Sequence, residues 1–180
     1  MFKSILAFGR RRPNRDVTDA LYDAIVASAR QPHFYAAWEV PDSPLGRYEM
    51  LSVHMFLFLE RARGGSEPLQ QLAQDMTDEF FKDVDHSLRE LGISDVGVPK
   101  RMKKFAKMFY GRAESYREAL VANDHEGLAA ALTRNVVAGR NEPWPHAGHM
   151  ATYIENASAF LASQDESELL AGRIKFPVAE

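Results

Sequence analysis

Between Leu69 and Leu91 the apolar residues Leu69, Leu72, Met76, Phe80, Val84, Leu88 and Leu91 recur at steps of three and four, the spacing that lines one face of an α-helix. Ser66 stands at an N-cap position, Pro68 suits a first turn and Gly92 supplies a stop, so a long helix is predicted to run to about Leu91. The same period places Met102, Phe105, Phe109, Ala113, Tyr116 and Leu120 on one face of a helix over about Lys100 to Val121. Near the start, Asp16 or Thr18 caps a helix carrying Leu21, Ala24, Ile25 and Ser28 that ends near Arg30. From about Arg47 to Arg63 the centre is apolar nearly all round, which predicts a helix buried on several sides, the central post of the fold. Asp124 caps a fifth helix reaching about Ala138, the turn Pro143-Trp144-Pro145 opens a sixth reaching about Ala162, and Glu166 to Ala171 adds a short last one. The stretch from Gln31 to Gly46 holds Pro32, Pro41 and Pro44 and is predicted to be an irregular connection pinned by Phe34, Tyr35 and Trp38. With no alternating strand pattern and no fixed repeat, the expected fold is all-α, a single-domain irregular bundle of about six to seven helices over 16–180.

Composition narrows the function. At 180 residues, 46% hydrophobic and 26% charged, the chain has the makeup of one soluble globular domain. The longest nearly uncharged run, Met50 to Leu59, is half the ~20 residues that span a bilayer. With no cysteine there is no disulfide, thiolate metal site or cysteine nucleophile. A net charge of −3 gives no global pull toward nucleic acid, so no specific DNA binding is expected and anion recognition falls to local patches. One patch is the N-terminal arm, 1–15, where Phe2, Ile5, Leu6 and Phe8 share a face with Lys3, Arg10, Arg11 and Arg12 close by. It lacks the features of a secretory signal and reads either as a frayed chain end that packs on the body or stays disordered, or as a basic amphipathic element for an anionic membrane surface, its contacts then being Phe2, Lys3, Ile5, Leu6, Arg10, Arg11 and Arg12. The expected setting is the bacterial cytoplasm, peripheral on the inner membrane.

The third predicted helix carries Asp75, Asp78, Glu79, Asp83, Asp85 and Glu90, and one loop later come Lys100, Arg101, Lys103, Lys104 and Lys107. These either pair acid against base or turn the basic face outward to lipid phosphate, RNA or an acidic partner. His54, amid an apolar run, reads as a hydrogen-bonded core histidine. His146 and His149 sit three apart without a third ligand, so neither metal nor cofactor is expected. Gly111 in mid-helix suggests close helix packing, and Arg112 with Tyr116 suggests a buried polar network closed by an acid such as Asp85. Met50, Met55, Met76, Met102, Met108 and Met150 fill a core or line a groove for apolar partners. No nucleophile elbow, phosphate loop, dinucleotide fingerprint or zinc-protease motif occurs, so no enzyme is expected.

Three segments in order carry a resemblance: Gly46-Arg-Tyr-Glu-Met-Leu-Ser-Val-His54; Asp83-Val-Asp85 with Arg89-Glu-Leu-Gly92; and Asp95-Val-Gly-Val-Pro-Lys-Arg-Met-Lys-Lys104 leading to Phe109-Tyr-Gly-Arg112. Over about residues 15 to 140 the chain resembles the ubiquinol-cytochrome c chaperone family. The resemblance implies an assembly chaperone that binds newly made cytochrome b and promotes assembly of the bc1 complex, in the mitochondrial matrix if eukaryotic. Cytochrome b or its nascent chain is the implied partner, with a ribosome, a small co-chaperone or an anionic membrane surface as further candidates. Partner contacts are assigned to Lys100, Arg101, Lys103, Lys104, Lys107, Asp83, Asp85 and Arg112. The alternative is a peripheral membrane or regulatory adaptor acting through its basic patches, and after that a helical enzyme.

Overall fold

The computed structural model describes residues 15–140 and 142–180. Six long helices and two of five residues make up the described fold: α1 (Arg15–Ala29), α2 (Pro32–Ala36), α3 (Pro44–Ala62), α4 (Glu67–Glu90), α5 (Val98–Ala122), α6 (His125–Val136), α7 (Ala147–Ala162) and α8 (Glu166–Leu170). No strand interrupts them among the described residues. The membrane contacts expected of Phe2, Lys3, Ile5, Leu6, Arg10, Arg11 and Arg12 lie outside the described residues.

The caps are those the sequence offers. Ser43, Ser66, Asp124 and Asp165 each accept a hydrogen bond from a first-turn N–H of α3, α4, α6 and α8, satisfying donors that a helix start leaves free. The connection Gln31 to Gly46 is less irregular than expected, because Pro32 sits in the first turn of α2 and Pro44 in that of α3, where a missing N–H costs nothing. Gly46 is required here by space: a Cβ would stand 1.9 Å from the Pro41 carbonyl oxygen.

α3 is the central post. It packs against α1, α4, α5, α6 and α7 and buries twelve of its nineteen residues. Leu69, Leu72, Met76, Phe80, Val84 and Leu88 of α4 are buried as the stripe predicts, but Leu91 is 58% exposed, since the chain leaves the helix at Glu90 and the stripe's last member projects from the turn. Met50, Met55, Met76 and Met150 are fully buried, so these methionines fill the core; among the described residues Met102 and Met108, half-buried on α5, approach the surface.

His54 is fully buried, its ring nitrogens 2.8 Å from the Met50 carbonyl oxygen and 2.9 Å from the Tyr153 hydroxyl of α7. Burial lowers its pKa to about 4, so the ring is neutral at physiological pH. Trp144 fixes the turn before α7 by donating its indole N–H to the Trp38 carbonyl at 2.7 Å. Beyond α8, segment 174–179 returns across the body: the Gln31 side chain donates to the Pro177 carbonyl at 3.1 Å and accepts from the Ala179 N–H at 2.8 Å, while Phe176 packs on the His54 ring.

Candidate functional site

The ends of α1, α3, α4 and α5 surround a cleft of about 530 Å³. Tyr48, Leu51, Val84, Leu88 and Phe105 give it an apolar lining, and Val26 and Ala29 add a wall from α1. Leu45 and Leu91 stand at its mouth, both substantially exposed. Its polar groups are mixed in sign: Arg30, Arg47, Asp83 and Glu90. Local partners already hold three of them, Glu90 lying 3.2 Å from His86. The Tyr22 hydroxyl donates to Asp83 at 2.8 Å, and burial beside that carboxylate raises the Tyr22 pKa. Arg47 meets Asp42 at 2.7 Å, whereas Arg30 is in no ion pair among the described residues.

Next to this cleft the two charged helices do not neutralise each other. Asp85 and Asp95 both pair with Arg89, Glu79 with Lys82 and Glu90 with His86, while Gln71 donates to Asp75 and Gln74 to Asp78. The acids of α4 are thus met mostly from their own helix. Lys100, Arg101, Lys103, Lys104 and Lys107 are all exposed and enter no ion pair among the described residues. Of the two arrangements open from the sequence, the basic face turned outward is the observed one.

Arg112 does close a buried network, but its acid is Glu49 of α3, not Asp85. The guanidinium lies 2.9 Å from Glu49, whose side chain is 1% exposed. Neither Glu49 oxygen is in hydrogen-bonding geometry, and burial outweighs the guanidinium, pushing the carboxyl up to about 8. Tyr116, also expected in that network, accepts instead from Asn135 of α6 at 3.2 Å. Glu49 went unassigned because in sequence it is one acid beside a Tyr and a Met; its helical position among buried neighbours was the available signal. Gly111 does not serve the close packing expected of it: it is exposed, and a Cβ would meet nothing within 4 Å.

The ring of His149 stacks on Trp38 and on His146, with centroids 6.2 and 5.9 Å apart. Among the described residues no three His or carboxylate groups gather as a metal would need, and no helix is long and apolar enough to cross a membrane.

The profile described as ubiquinol-cytochrome C chaperone matches residues 36–176. The chain belongs to this family. The match starts later than the expected 15 and runs well past 140, so α7, α8 and the tail as far as Phe176 are part of the family domain; α7 and Phe176 pack on α3 at His54, and α8 packs on α4. The fold is similar to that in "Crystal structure of the Cbp3 homolog from Brucella abortus", at TM-score 0.85 and 54% sequence identity, covering 91% of this chain and 90% of that one. No curated protein matches the chain. Within this chaperone-family domain, the cleft beside α5 and the unpaired lysines next to it are the surface features that core packing leaves unexplained.

Proposed function

We propose that the protein is an assembly chaperone that binds newly made cytochrome b, acting on the ubiquinol-cytochrome c reductase (bc1) complex by holding a client and not by catalysing a reaction. The family supports the process, and the cleft supports the mode. Its volume lies within the roughly 300–1,000 Å³ of small-ligand sites, enough for a few side chains of an apolar segment. Burying apolar surface there contributes ~25 cal/mol per Å² before the ordering cost is subtracted, which gives the weak, reversible hold an assembly factor needs. Charges of both signs at the mouth suit the polar flanks of such a segment. A ribosome or a small co-chaperone fits the same reading as an accessory contact at the basic face, and Lys100, Arg101, Lys103, Lys104, Lys107, Asp83 and Asp85 remain its proposed partner residues. Arg112, tied to Glu49 inside the fold, supports that surface from beneath.

Deletion of the gene tests the process: cytochrome b and assembled bc1 complex are expected to fall while other respiratory complexes hold, and normal bc1 activity in the deletion strain would refute it. A photo-crosslinking side chain at Leu45, on the cleft mouth, is expected to trap newly made cytochrome b. Equal labelling from Phe160, an exposed residue on α7, would remove the cleft from the account.

A further inference from the structure

The turn from α4 to α5 combines two features that ordinary folding disfavours. Leu91 is 58% exposed and Val96 91% exposed, so two large aliphatic side chains project from one short loop. Directly after it, Lys100, Lys103, Lys104 and Lys107 follow at three- and four-residue steps on the outer face of α5, the spacing that aligns side chains along one helix face. Arg101 is exposed beside them. Lys100 and Arg101 occupy the first turn of a helix that begins at Val98 and has no acid there, where the backbone dipole opposes positive charge. None of these lysines, nor Arg101, is relieved by an ion pair among the described residues. From Arg89 to Lys107 there are six cations against two carboxylates, and one of those carboxylates, Asp95, is already paired with Arg89. Local rules broken together at one place mark a functional surface.

We propose that the α4–α5 turn and the lysine face of α5 dock on an anionic lipid bilayer, Leu91 and Val96 entering the headgroup layer and Lys100, Lys103, Lys104 and Lys107 meeting lipid phosphates. Charge complementarity selects an anionic partner, and the projecting aliphatic pair selects lipid over RNA. Single-stranded RNA is held by stacking on aromatic rings, and Tyr110 is the one exposed ring on this face among the described residues. Lysines with compact charges on long stems suit a fluid layer of phosphates, which asks for no fixed fork geometry. Leu91 also stands at the mouth of the cleft, so docking here sets that mouth beside the bilayer, the solvent in which an apolar client segment resides. The docking surface itself does not depend on the client reading, since vesicles alone test it.

Full-length protein is floated with phosphatidylglycerol-rich vesicles and with pure phosphatidylcholine vesicles at low and high salt. Wild-type protein is expected to bind the anionic vesicles alone and to lose binding as salt rises. Replacing Lys100, Lys103, Lys104 and Lys107 with Gln is expected to weaken binding more than about tenfold, and Leu91→Ser with Val96→Ser several-fold with the salt dependence unchanged. Melting curves of each variant confirm that folding is intact. Replacing Arg10, Arg11 and Arg12 with Gln separates the arm from this surface: binding lost in that variant and kept in the lysine variant overturns the proposal. So does absence of wild-type binding to anionic vesicles. Lysine-dependent binding to a single-stranded RNA probe, insensitive to Leu91→Ser with Val96→Ser and unaccompanied by vesicle binding, reassigns the face to RNA and equally overturns it.

Discussion

Replacing Glu49 with Gln isolates the energetics of the buried carboxyl. Burial pushes the acid from its ordinary 4.5 up to about 8, so the folded protein holds a proton there that the unfolded chain releases near pH 4.5. Stability from that proton is fully present below pH 4.5 and is lost as pH rises toward 8. Between pH 5 and pH 8 the difference in bound protons integrates to a loss of about 3 kcal/mol in wild type relative to Glu49→Gln, whose amide does not titrate. For a domain of this size that is about 6–12 °C of Tm. Thermal melts of both proteins, followed by circular dichroism across this range, give the Tm difference directly. Other titrating groups, His54 among them, are common to both proteins and cancel in the difference. Burial dominance is refuted if the Tm difference stays flat, or if wild type gains on the variant as pH rises; the latter is the behaviour of a carboxylate kept ionised by Arg112.

His54→Phe is expected to cost about 1–3 kcal/mol by taking the ring partner away from the buried Tyr153 hydroxyl, measured by denaturant titration. Because the buried ring's pKa lies below its usual value, its contribution is present above about pH 6.5 and lost as pH falls toward 4, so the variant's acid limb over that window should be shallower than wild type's. Gly111→Ala should stabilise by up to about 1 kcal/mol, as an exposed helix-interior glycine with open space around it predicts; a lower Tm would mean that something in solution occupies that space. Trp144→Phe deletes the indole donor to the Trp38 carbonyl and should cost about 1–3 kcal/mol, read from the shift in denaturant midpoint. The four-lysine variant should melt within a few degrees of wild type, since exposed charges of this kind contribute ~0–1 kcal/mol each.

What was legible in the sequence was local. Capping residues, prolines in first turns and the three-and-four stripe of α4 each act within a turn or two of themselves, and they put the long helices within a few residues of their observed bounds. The nearly all-round apolar centre of α3 announced a post buried on several sides. What was not legible depended on pairing between helices. Nothing along the chain says that Arg112 meets Glu49, 63 positions away, rather than the nearer Asp85, and Asp85 was already taken by Arg89 one turn on. Gly111 shows the converse limit: a residue that breaks a local rule invites a packing explanation, and only the surrounding space shows that none applies. For the candidate site, the unpaired lysines were half visible, as charges with two possible fates. The cleft was invisible, because it is formed by four helix ends brought together only by the fold.

The clasp that Gln31 makes on the returning tail has a consequence for cooperativity. One side-chain amide donates to residue 177 and accepts from residue 179, closing a loop that contains every helix from α2 to α8. Contacts of such sequence separation form late in folding, after the loop entropy has been met by other interactions. They are also lost when either end of that loop loosens. The first interhelical connection and the tail therefore share one fate. Amide exchange at Ala179 should slow or quicken in step with that of α1 and α2, rather than fraying as an independent terminus.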